Sequence, residues 1–126
     1  MIHLSRREFI RLVRQAYKQV PPPVRRALRN VDIAVEEWPD RGELDLDLGQ
    51  GESESTLFGL YTGVPLSERE GGEPSLPDRI VIYRQPILRS CSTRSEAVRE
   101  IGVTLLHEVG HYLGMGEEDL HRLGYG

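Results

Sequence analysis

Apolar side chains recur near the start of the chain at Phe9, Leu12, Val13, Ala16 and Tyr17, with charged residues between them. Steps of three and four residues predict an amphipathic helix. Ser5 and Glu8 form a capping box at its head, so the helix is expected over residues 6–19, ending before Pro21-Pro22-Pro23. A shorter helix is expected from Pro23 to Arg29, because proline suits a first helical turn. The period then changes: Val31, Ile33 and Val35 alternate with Asp32, Ala34 and Glu36, which predicts a half-exposed strand over Val31–Glu37. Leu57–Tyr61 reads as a second short strand. Ile80-Val81-Ile82-Tyr83 is apolar throughout and reads as a central strand buried on both faces. Pro86 is expected to stop it, with one helical turn over Ile87–Cys91.

A longer helix is expected to begin after Ser92 or Thr93 and to close at Gly114. With ~100° per residue and His107 at the origin, Val98, Ile101, Leu105, Leu106, Val109, Tyr112 and Leu113 fall within one arc of about 140°. That arc predicts the core stripe. His111, at ~40°, and Thr104, at ~60°, lie off it, and Glu108, at ~100°, lies at its edge. The two histidines therefore share a face of their own.

The stretches 38–55 and 62–79 hold most of the glycine and proline and read as long loops. The first is acidic, with Asp40, Glu43, Asp45, Asp47, Glu52 and Glu54 against Arg41 alone. An EF-hand reading of Asp45-x-Asp47 fails because the later ligand positions are missing, leaving a solvated loop as the expectation. No repeat, low-complexity segment or domain boundary interrupts the 126 residues, so one domain over 1–126 is expected. A net charge of −4 argues against nucleic acid as the main partner. The single cysteine, Cys91, suits a reducing compartment and reads as a small buried hydrophobe. No stretch approaches the ~20 apolar residues of a membrane span, and Met1–Glu8 carries no signal-peptide core. A cytoplasmic protein without a membrane partner is the expectation.

The chemistry is concentrated in His107-Glu108-Val109-Gly110-His111-Tyr112-Leu113-Gly114. Histidines four apart project from one side of a helix and can share a metal ion, and the glutamate between them can work on a water molecule. Shuffled chains of this composition would hold H-E-x-x-H in only about 1% of cases, and here the helical context is present as well. A catalytic zinc usually takes three protein ligands. Gly114 allows a sharp turn after the helix that can return Glu117, ten residues after His107, to the metal. Asp119 and His121 are the next candidates. Glu117 and Glu118 can equally form the acidic start of a last helical turn.

The run Thr104–Leu120, which contains this motif, resembles the minimal zincin-like family of small bacterial metallopeptidases. So do Gly59–Leu66 and Leu76–Arg84. The family's pattern has an aspartate ten residues after the first histidine, where this chain has Glu117, with Asp119 two residues on. The resemblance implies an α+β fold: one compact zincin-like domain with a small mixed sheet packed on helices and the motif on the long C-terminal helix. It implies Zn2+ as cofactor, held by His107, His111 and Glu117, with Glu108 as the catalytic base.

Zinc lowers the pKa of water from ~15.7 towards ~7, and Glu108 would take the proton and deliver it to a leaving amine. A peptide or small amide is the expected substrate. Tyr83, Tyr112 and His121 are conceivable oxyanion donors, but Tyr61, Tyr83 and Tyr112 read better as packing aromatics and His121 as a surface residue. Fifteen residues after His111 are expected to be too few for a subdomain that walls a substrate cleft. Two functions therefore stand side by side: a narrow-specificity hydrolase, and a metal-binding or partner-binding module without efficient catalysis. Glu108 separates them, since only hydrolysis needs that base.

Overall fold

The computed structural model describes residues 1–46, 55–63, 78–115, 118 and 122. The elements are α1 (Arg6–Gln19), α2 (Pro22–Ala27), β1 (Val31–Glu36), α3 (Arg41–Leu46), β2 (Gly59–Thr62), β3 (Asp78–Tyr83), α4 (Arg84–Ser90) and α5 (Arg94–Tyr112). The architecture is α+β, with a small mixed sheet on helices and the histidine motif on the long helix α5, as expected.

Local chemistry accounts for the helix ends. The Glu8 amide donates to Ser5 Oγ (3.0 Å) at the head of α1. At the head of α5 the Glu96 amide donates to Thr93 Oγ1 (3.1 Å), and the Glu96 carboxylate accepts from the Ser92 amide (2.8 Å). Capping bonds of this kind satisfy amides that would otherwise lack partners at a helix start. α5 closes when Gly114 takes φ 88°. The Gly114 amide donates to His111 O (3.0 Å) and the Met115 amide to Gly110 O (2.9 Å), the paired bonds of a Schellman turn.

Two expectations are corrected. Residues 41–46 form α3 rather than loop, because Asp40 and Glu43 cap each other reciprocally. The Glu43 amide donates to Asp40 Oδ1 (2.7 Å) and the Asp40 amide to Glu43 Oε1 (2.9 Å). Pro86 does not end a strand. It sits in the first turn of α4, where its missing N–H costs nothing, and β3 runs directly into that helix.

The strand order is β1-β3-β2, which puts β3 at the centre as its apolar run predicted. β1 pairs parallel to β3, with Ile33 opposite Ile80 and Val35 opposite Ile82. β2 pairs antiparallel, with Tyr61 opposite Ile80 and Gly59 opposite Ile82. Alternation along β3 divides the core. Ile80 and Ile82 pack with Phe9 and Leu12 of α1 and with Ile101, Leu105 and Val109 of α5. Val81 and Tyr83 point to the other side, against Leu57 and Leu60, where Leu44 of α3 packs on them. α1 and α5 therefore share one face of the sheet. No described helix is long and apolar enough to cross a membrane.

The expected core stripe of α5 is also revised. Val98 is 41% exposed, whereas Thr104 and Glu108 are 6% and 5% exposed. A single arc accounts for packing against one neighbour. α5 packs on α1, α4 and the sheet, so its buried surface extends round to the glutamate.

Candidate metal centre

The side chains of His107 and His111 come from consecutive turns of α5 and stay partly open, at 20% and 31% exposure. Their rings meet edge to face with centroids 4.5 Å apart. Glu108, between them in sequence, turns inward. One of its oxygens lies 3.3 Å from His111 Nδ1, and the other lies 3.9 Å from His107 Nε2. Ligand atoms of the three residues all fall within 4.8 Å of one another. Two imidazoles from one helix face are donors that zinc takes, and the carboxylate beside them can act on a water at that ion, so the residues fit such an ion.

The sheet makes the inward turn of Glu108 possible. The Tyr83 amide donates to Phe58 O (2.9 Å), which fixes the phase of the β2–β3 pairing. Alternation along β2 then points Tyr61's backbone groups away from β3, at the outer edge of the strand. Its N–H donates to Glu108 Oε1 (2.9 Å). The carboxylate thus satisfies a strand-edge donor while standing beside both histidines. α5 approaches this closely because Gly59 faces it. A Cβ there would lie 2.6 Å from Thr104 Cγ2 and 3.4 Å from Glu108 Cγ.

Tyr61 is held in turn. Its hydroxyl donates to Asp78 Oδ1 (2.7 Å), and Asp78 is only 4% exposed. The Tyr61 ring stands edge-on to Tyr112 at 5.7 Å, and the Tyr112 hydroxyl donates to Ala27 O (3.0 Å). Tyr112 thereby anchors the histidine-bearing end of α5 to the end of α2. Tyr83 is fully buried in the cluster on the opposite side of the sheet, so as an oxyanion donor it is on the wrong face. Both tyrosines serve packing.

His107, Glu108 and His111 are brought together, while Glu117, Asp119 and His121 lie outside the described residues. Gly59 and Asp78 were not singled out from the sequence. A glycine inside a strand is itself a signal of close approach by another element, and Gly59 carried that signal. Asp78 had none, because an acid before an apolar run ordinarily marks a loop. Cys91 is buried and free, and burial pushes its thiol above the ordinary range.

The family model for zincin-like metallopeptidases matches residues 28–126, all but α1 and the turn and helix after it. No curated protein matches the chain.

Proposed function

The chain belongs to the zincin-like metallopeptidase family, and on that premise we propose that it hydrolyses a peptide or small amide bond with the help of a zinc ion. The observation that carries this reading is the clasp on Glu108: a buried carboxylate held by the Tyr61 amide beside two histidines of one helix face. Hydrolysis uses all three residues, the two histidines for the ion and the carboxylate for the water.

In this reading His107 and His111 hold the ion, and Glu117 completes the ligand set. Bound there, zinc supplies a Lewis acid that makes water a usable nucleophile near neutral pH. Glu108 acts as the base. It takes a proton from the attacking water and gives it to the leaving nitrogen, so a carbonyl C–N bond is exchanged for C–O. The Tyr61 amide keeps one carboxylate oxygen in place, leaving the other to exchange the proton. The exposed sides of both histidines leave room for substrate. A buried free thiol supports a reducing, cytoplasmic setting.

Metal analysis of the purified protein and two variants tests the proposal. His107→Ala should abolish stoichiometric zinc, and unchanged zinc content would remove the metal site. Glu108→Gln should keep zinc, and should keep the Tyr61 bond through its amide oxygen, yet lose hydrolysis of mixed peptide libraries read by mass spectrometry. Wild-type hydrolysis in that variant would remove Glu108 from the base role.

A further inference from the structure

A groove of about 620 Å³ runs between α1 and the β1 side of the sheet, and no residue of the histidine motif lines it. Its floor is apolar: Ile10, Val13 and Tyr17 come from α1, and Val31, Ile33 and Val35 from one face of β1. The three β1 residues are only half-buried, although they face the same side as the main core. A groove of this size and apolarity is within the range that takes a small ligand.

Its charges are gathered at one end. Arg6, at the start of α1, donates to Val35 O (2.7 Å) and pairs with Glu37 (2.7 Å), so the start of α1 lies by the end of β1. α1 thus runs antiparallel to β1. Arg14 lies ~12 Å further along the helix, at ~1.5 Å per residue, with Lys18 one turn beyond it. Both therefore sit towards the beginning of β1. Arg25 and Arg29 reach the same end from α2 and the turn after it, where the Val31 amide donates to Leu28 O (2.9 Å). Among the described residues no carboxylate pairs with any of these four cations, whereas Arg6, Arg11, Arg79, Arg84 and Arg94 are all ion-paired. Arg25 Nε is also buried with no hydrogen-bond acceptor. A chain of net charge −4 has kept four cations uncompensated around one end of an apolar trough.

We propose that this groove binds a single-chain amphiphile with a phosphate head, the alkyl chain along the β1 face and the head among Arg14, Lys18, Arg25 and Arg29. A phosphate monoester carries about two negative charges and three strong acceptor oxygens, which suits four cations better than one carboxylate does. The floor from Val31 to Val35 is ~13 Å long at ~3.3 Å per residue, room for a chain of medium length. An acidic amphipathic peptide is a poorer match. Its carboxylates would be spread along a stretch whose far end is already neutralised by Arg6 and Glu37.

Titration calorimetry of the full chain with dodecyl phosphate, kept below its micelle concentration, tests the assignment. Saturable one-to-one binding is expected, with dodecyl maltoside and inorganic phosphate each weaker by about tenfold or more because each lacks one half of the match. Arg14→Glu with Lys18→Glu changes only exposed positions and should weaken dodecyl phosphate by at least about tenfold. Arg25→Gln with Arg29→Gln should do the same. Equal affinity for the uncharged amphiphile overturns the proposal, and so does binding that survives both double variants. Binding to vesicles containing phosphatidic acid, with none to monomeric dodecyl phosphate, overturns it in favour of a membrane surface. Binding of a poly-glutamate peptide alone overturns it in favour of a protein partner.

Discussion

The two outer strands of the sheet present the same problem and are treated in opposite ways. Each turns backbone groups outward, away from β3, and each has one of them met by a charged side chain. On β2 it is the Tyr61 amide, which donates to Glu108, a residue 5% exposed under a tightly packed α5. On β1 it is the Val35 carbonyl, which accepts from Arg6, whose side chain is 51% exposed. The β2 edge is closed by a buried acid and a glycine contact. The β1 edge is open, with a groove beside it. A hydrogen bond to a buried charged group is worth about 1.5–3 kcal/mol, and an exposed ion pair ~0–1 kcal/mol. Protection of the β2 edge is therefore also structural support, so the proposed base is part of what holds α5 on the sheet.

The largest effect is expected where that packing is tightest. Gly59→Ala would put a methyl 2.6 Å from Thr104 Cγ2 and 3.1 Å from Val81 O. Thr104 is buried and has little room to yield, so a loss of about 3 kcal/mol is expected in urea unfolding. Adding Thr104→Ser removes the conflicting methyl and should recover part of the loss. A double variant no better than Gly59→Ala alone would show that the helix contact does not set the fit.

Glu108 provides the next contrast. Glu108→Ala leaves the Tyr61 N–H without its acceptor and should cost about 2 kcal/mol, while Glu108→Gln keeps an acceptor and should cost clearly less. Equal stability of the two variants would break the comparison, because the clasp would then have no structural value.

The same contrast explains what could be read from the sequence. α1, β3 and α5 were legible because each carries one strong period or an unbroken apolar run. The pairing of His107 with His111 follows from helix geometry alone. The inward turn of Glu108 did not follow, because a helical wheel describes one packing partner and α5 has several. Val98 marks the opposite error: apolar and within the expected arc, it stays exposed. α3 was hidden because Asp40 and Glu43, which cap it, sit in a run of acids whose composition suggests a solvated loop. Asp78 acquires its partner only when the fold brings Tyr61 beside it, seventeen residues away in sequence.

On the open edge the effects shrink. Arg6→Ala removes the bond to Val35 O and one of the ion pairs of Glu37, which keeps Arg84. Burial raises the Glu37 carboxyl, but the bonds from Gln85, Arg84 and Arg6 outweigh it and hold the group below its usual range. A loss under about 1 kcal/mol is expected in urea unfolding. A cost as large as that of Glu108→Ala would erase the distinction between the two edges.

The smallest effect lies at the seam between them. Glu8 on α1 accepts from Arg11 on its own helix and from Arg94 at the start of α5 (2.7 Å), joining the helix over β1 to the helix over β2. The bond from Arg11 and then that from Arg94 lower the Glu8 carboxyl from 4.5 to about 2, against a smaller opposing effect of burial. A carboxyl depressed in the folded state binds its proton more readily in the unfolded chain. Its contribution is therefore complete above pH 4.5 and is lost as the pH falls from there towards 2. Glu8→Gln should lower the melting temperature slightly near neutral pH, and the difference from the parent should close as the pH approaches 2. Because both arginines are about half exposed, added salt should shrink the neutral-pH difference as well. A difference that stayed constant across this acid range would mean that shape, rather than charge, joins the two helices at Glu8.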